Sequence, residues 1–112
     1  TDVLLFGIGT AMRMADQRHI ADDVRKQLVD NHAVGEALGQ YCDIDGKLIY
    51  STNNIGLSLP DVAKVPNVIA VAGGQEKASA IIGVMRACRK GILIIDEQAA
   101  EGMRQLLQIS AL

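Results

Sequence analysis

The chain has 112 residues, enough for one domain with a real core, and its formal net charge is −2 with no cluster of basic residues. That balance, with two tyrosines, one phenylalanine and no tryptophan, excludes a nucleic-acid surface built on phosphate neutralisation and base stacking. Two cysteines are too few for a disulfide scaffold and no apolar run reaches the length of a membrane span, so a cytoplasmic setting is expected.

An apolar run from Val3 to Ile8, broken by Gly7 and closed by Gly9, predicts a strand that starts two residues into the chain; such a start reads as part of a longer protein. From Ile20 to Val29 the apolar Val24 and Leu28 share one face opposite charged residues, which predicts a short surface helix ended by Asp30 and Asn31. The stretch from Val34 to Cys42 mixes Gly35 and Gly39 with apolar residues. Asp43 to Gly46 then reads as a turn before the extended segment Lys47 to Tyr50, a β-hairpin. Ser58 is placed to cap a short helix from Leu59 to Lys64, with Pro60 at an early helical position, and Pro66 resets the chain.

The run Val68 to Ala72 has no polar interruption, the pattern of a strand buried on both faces of a parallel sheet. Gly73 and Gly74 follow, and Ala78, Ile81, Ile82, Met85 and Cys88 then recur on one helix face, so a helix begins near Gln75. Ile92 to Ile95 is a third strand, and Ala99, Met103, Leu106 and Leu107 mark a last helix whose N-terminus suits Asp96 and Glu97. Strand, helix, strand, helix in this order implies parallel strands joined by a crossover, with a ligand pocket at their carboxyl ends.

The turn at Gly73 and Gly74 is the strongest chemical signal. Residues without a Cβ let an anion approach the backbone, the helix N-terminus favours negative charge, and Lys77 adds a cation in the first turn. The other candidates read as structure. Glu36 alternates between apolar neighbours as a solvent-facing strand residue does. His19 and His32 lack partners at metal-ligand spacing. Asp43 and Asp45 start like a calcium loop, but no Glu follows at the required distance. Met12, Met14, Met85 and Met103 read as core fillers, and Cys88 lies on a buried helix face as an inert thiol.

Several motifs occur in order: LFGIGTAM from Leu5 to Met12, AVGEALG from Ala33 to Gly39, and CDIDGK from Cys42 to Lys47. Ile55-Gly-Leu57 follows, then VIAVAGG from Val68 to Gly74 with Lys77 and Ala78, and finally Ile95 to Glu97 before Ala99 and Ala100. This series resembles the C-terminal sugar-binding domain of the SorC family of bacterial transcriptional regulators, in particular its glycolytic-gene branch. The resemblance covers almost the whole chain, and corresponds to the second half of that effector domain.

The resemblance implies an α/β, three-layer Rossmann-like fold related to glucosamine-6-phosphate deaminase and ribose-5-phosphate isomerase, with a β-hairpin insertion. Residues 1–112 would be the C-terminal part of the effector domain, the rest of which, with a helix-turn-helix, lies elsewhere in the protein. The implied role is to sense a phosphorylated sugar, such as fructose-1,6-bisphosphate or a neighbouring triose or hexose phosphate, in a homo-oligomer that binds DNA through another domain. No cofactor, metal, membrane or catalytic residue is implied. By the same resemblance, Lys77 contacts the phosphate, Glu36 accepts bonds from sugar hydroxyls, and Arg18 or Gln17 supplies a group at the end of the Gly-Ile-Gly helix. Gly7, Gly9, Gly73 and Gly74 let the chain pass close to the ligand, and Asp96 matches an acidic residue after the last strand. A sugar-phosphate isomerase or deaminase is the alternative expectation, because the implied fold houses such enzymes; it requires a general base within reach of a sugar carbon.

Overall fold

A computed structural model describes residues 3–52, 59–89 and 91–111. Two small sheets form its frame. The first is parallel, with β1 (Val3–Gly7), β6 (Asn67–Ala72) and β7 (Ile92–Ile95) in the order β1-β6-β7. Its register sets Leu5 against Ile69 and Val71 against Ile94. The second is antiparallel, with β2 (Gly9–Thr10), β3 (Gly35–Ala37), β4 (Gln40–Cys42) and β5 (Leu48–Ser51) in sequence order.

The predicted hairpin is present as β4 and β5 around the Asp43–Lys47 turn, where the Asp43 carboxylate accepts the backbone N–H groups of Asp45 and Lys47. β3 and β4 add a second, tighter hairpin through Leu38 and Gly39, both at positive φ. A leucine there is against turn preference, which explains why sequence reading saw one hairpin and not two. The Ser58 cap and the Ile55-Gly-Leu57 motif lie outside the described residues. The helix expected after Ser58 is a 3-10 segment, Pro60–Lys64.

The helices follow the apolar spacing. α1 (Ala11–Gln17) and α2 (Asp22–Asp30) bury Ala11, Ala15 and Leu28 against Tyr41 on one side of the antiparallel sheet. α3 (Ala78–Cys88), entered through the 3-10 turn Gln75–Lys77, carries Ala80, Ile81, Val84 and Cys88 into the main core between the two sheets. Gly35 makes this packing possible, because a Cβ there would stand 2.8 Å from the Ala80 carbonyl oxygen. α4 (Glu97–Ala111) adds Ala99 and, half-buried, Met103.

One expectation is corrected here. The β6 run was read as buried on both faces, as in a three-layer sandwich, but its burial alternates: Val68, Ala70 and Ala72 are inside while Val71 is exposed. Val3, Leu5, Ile92 and Ile94 open on the same side as Val71, each between 53% and 65% exposed. Among the described residues, helices cover one face of the parallel sheet, so the architecture seen is two-layered at β6.

Candidate functional site

The site lies where the chain leaves the parallel sheet at Gly7 and enters the antiparallel sheet at Gly9, with the Ile8 N–H donating to the Val71 carbonyl at 3.2 Å. This is the carboxyl end of β1 and of β6, where α/β sheets hold ligands. A cavity of about 580 Å³ opens there, within the size range of small-molecule sites.

Six of the eight predicted residues border it: Gly7 and Gly9 from the crossing strand, Gln17 and Arg18 from the end of α1, Glu36 from β3 and Lys77 from the turn before α3. Three separate parts of the sequence thus bring one anion, two cations and an amide to one space, beside the two glycines. Gly7 gives the cavity room: a Cβ there would meet nothing closer than the Val71 carbonyl oxygen at 3.9 Å. Gly9 lets the Met14 side chain fold against the strand, since a Cβ would sit 2.7 Å from Met14 Cγ.

Glu36 is the central group. Its alternation suggested a solvent-facing residue, yet it is only 3% exposed, because both faces of β3 are covered. Arg18 Nη2 stands 2.9 Å from Glu36 Oε2, without the angles of a hydrogen bond. Burial pushes the Glu36 carboxyl above its ordinary value, and the Arg18 charge offsets this only in part. The ambiguity between Gln17 and Arg18 has a structural reason: both border the cavity, and Arg18 is the one paired to Glu36.

Gly73 and Gly74 do not border this cavity. The geometry predicted for them is real, with Gly74 at φ +94° before a helical turn. The chain itself supplies the anion. Both Asp96 carboxylate oxygens lie 3.1 Å from the Gly74 N–H, and Oδ1 accepts the Ala99 N–H at 2.8 Å. These backbone bonds hold the Asp96 carboxyl below its usual range. A carboxylate in that place repels a phosphate, so Asp96 acts as the cap of α4 and ties β6 to β7.

Sequence reading missed Arg13, Thr10 and Leu38, which also border the cavity. Arg13 carried a usable signal, because it precedes Gln17 by four residues and so shares its face of α1. Leu38 carried none, since its position follows from the unexpected hairpin.

Other reactive side chains lie away from the cavity. Burial pushes the Cys42 thiol up to about 12 and the Cys88 thiol to about 11, so neither is a nucleophile at neutral pH. His19 and His32 are exposed. Among the described residues no three His, Cys, Asp or Glu side chains gather to hold a metal, and no helix is long and apolar enough to cross a membrane.

The chain is similar to known proteins over most of its length. Residues 1–105 match the family model described as "Putative sugar-binding domain". The central glycolytic genes regulator of Bacillus subtilis (strain 168) is 39% identical over 99 residues, 88% of this chain and 29% of that protein. A chain from Enterococcus faecalis assigned to the SorC family of transcriptional regulators superposes with a TM-score of 0.82 at 39% identity, covering 89% of this chain and 41% of that one. The full-length sorbitol operon regulator SorC from Klebsiella pneumoniae does so with a TM-score of 0.74 at 27% identity, covering 91% and 33%. The chain therefore spans under a third of the curated relative's length. It belongs to the sugar-binding domain family, in the form found in SorC-type transcriptional regulators.

Proposed function

We propose that this chain is part of the effector-binding domain of a bacterial regulator of carbohydrate metabolism, and that its cavity takes a phosphorylated sugar. One observation carries the reading: Lys77, Arg18, Gln17 and Glu36 converge on one cavity from three distant parts of the sequence. Lys77 offers a full charge to a phosphate, and Glu36 accepts hydrogen bonds from sugar hydroxyls, with Arg18 or Gln17 completing the polar wall. Gly7 and Gly9 keep the crossing strand thin beside the ligand.

In this reading residues 1–112 form the C-terminal part of the effector domain. The bare apolar face of the parallel sheet supports that assignment, because parallel sheets are ordinarily covered on both sides. The complete domain would then be a three-layer fold of the glucosamine-6-phosphate deaminase and ribose-5-phosphate isomerase kind. The whole protein would be a cytoplasmic homo-oligomer that binds DNA through a separate domain and catalyses nothing.

Calorimetric titration of the intact protein with fructose-1,6-bisphosphate, glucose-6-phosphate and ribose-5-phosphate tests the reading. Saturable binding that is lost in Lys77→Ala supports it; no heat with any phosphosugar at millimolar concentration overturns it. A second reading, a sugar-phosphate isomerase or deaminase, is favoured by the raised carboxyl of Glu36 in a cavity, the setting of many general bases. Turnover of ribose-5-phosphate or glucosamine-6-phosphate that vanishes in Glu36→Gln would establish it.

A further inference from the structure

Among the described residues four that are not glycine hold a positive φ: His19 at +51°, His32 at +58°, Leu38 at +55° and Arg89 at +60°. His19 and His32 lie just past the ends of α1 and α2, and Arg89 caps α3, places where a helix ordinarily closes in the left-handed region. Leu38 has no such reason. It stands with Gly39, at φ +79°, in the two-residue turn between β3 and β4, since Ala37 pairs with Gln40. Turns of this kind favour asparagine or aspartate before the glycine, and a leucine there is strained by its own Cβ.

Its surroundings supply a reason. From Gly35 to Cys42 every residue is buried except Leu38, which is half-buried against the main core and borders the cavity. Of the other apolar side chains around that space, Phe6 and Ile8 are only 7% and 3% exposed, so Leu38, with Met14 and Val71, forms the apolar surface that a ligand can reach. Glu36, two residues earlier on the same hairpin, borders the same cavity and accepts hydrogen bonds. Leu38 can neither donate nor accept one. Strained residues are tolerated where a ligand site has a use for the side chain they present.

We infer that Leu38 is a specificity-determining residue: it lies against carbon-bound hydrogens of the sugar and rejects an isomer that turns a hydroxyl towards it. This rests on the proposal that the cavity takes a phosphosugar. A hydroxyl pressed against the leucine methyls loses its water and finds no partner, whereas one directed at Glu36 meets a carboxylate. A phosphate is common to every phosphosugar, so Lys77 cannot choose among them. The hairpin can, because it sets an acceptor and an apolar wall beside the same space.

The test titrates the intact protein with two sets of sugars whose members differ in the direction of single hydroxyls. One is glucose-, mannose- and galactose-6-phosphate, the other fructose- and tagatose-1,6-bisphosphate. Within whichever set binds, the wild type is expected to separate the strongest from the weakest member by about tenfold or more, the effect of one unpaired hydroxyl. That ratio should collapse in Leu38→Asn, where an amide can meet the hydroxyl, and in Leu38→Gly, where water can. A purely structural role would weaken every member alike, so an unchanged ratio in both variants overturns the inference, as do equal affinities in the wild type. Without ligand, both variants are expected to melt no lower than the wild type, because asparagine and glycine suit the turn. A lower melting temperature in both would show that core packing keeps the leucine, and overturns the inference too. If the wild type binds no phosphosugar the proposed function fails, while the two melts still decide whether packing accounts for Leu38.

Discussion

Arg18 and Glu36 form an unequal pair: 2.9 Å separates Nη2 from Oε2, yet the arginine side chain is 38% exposed and the glutamate side chain 4%. Solvent screens the arginine, whereas the carboxylate depends on the protein for whatever replaces its hydration. The asymmetry explains why the Glu36 carboxyl sits above its ordinary value with a cation beside it.

A pH dependence follows from that direction. An acid whose folded value is raised binds its proton more tightly in the folded state, so between the unfolded and folded values the native protein holds the extra proton. The Glu36 contribution to stability is therefore fully present below the unfolded value and is lost as pH rises through the folded one. Wild type minus Glu36→Gln, compared by melting temperature from pH 4 upward, should fall across this window and then level. A difference that grows with pH would show that Arg18 outweighs burial.

Lys77→Ala should weaken a phosphosugar by about 1.5 to 3 kcal/mol, the range for a hydrogen bond to a charged group. Among the described residues the Lys77 side chain makes no ion pair, and its backbone N–H donates to the Gly74 carbonyl at 3.2 Å. Stability should accordingly change by less than about 0.5 kcal/mol, the ordinary surface range. Calorimetry and a thermal melt on the same variant separate the two effects, and unchanged affinity would remove Lys77 from the site.

Asp96→Asn should destabilise the fold without weakening the ligand. The carboxylate accepts the N–H groups of Gly74 and Ala99, so its loss loosens both the β6 end and the start of α4. Its carboxyl is held low, so this stabilisation exists above the unfolded value and is lost as pH falls through the folded one. The wild-type advantage in melting temperature should therefore be present at neutral pH and disappear in acid. An equal advantage at pH 2 and pH 7 would mean that the cap does not depend on charge.

Gly83→Ala is expected to cost about 1 to 3 kcal/mol, the range for overpacking a core. A Cβ at position 83 would meet the backbone carbonyl of Asp43 and stand 2.9 Å from Val34 Cγ2. Neither the α3 backbone nor the hairpin can yield as a flexible side chain does. Chemical denaturation measures this directly; a neutral result would show that α3 and the Asp43 turn are free to separate.

Local pattern in the sequence determined the elements and the family. Short apolar runs placed β1, β6 and β7, helical spacing placed α2, α3 and α4, and the Asp43 turn announced its hairpin, because burial leaves a pattern that survives in one dimension. An ordered set of motifs singled out Lys77 and Glu36, and both border the cavity. Tertiary structure alone decided what those residues face. The Gly73-Gly74 turn had the right backbone for an anion, but whether that anion came from a ligand or from Asp96, 22 residues away from Gly74, depended on how β7 packs beside β6. Glu36 looked solvent-facing until β3 was covered on both sides. Charge and hydrogen bonding act across space, between residues whose separation along the chain carries no record of their contact.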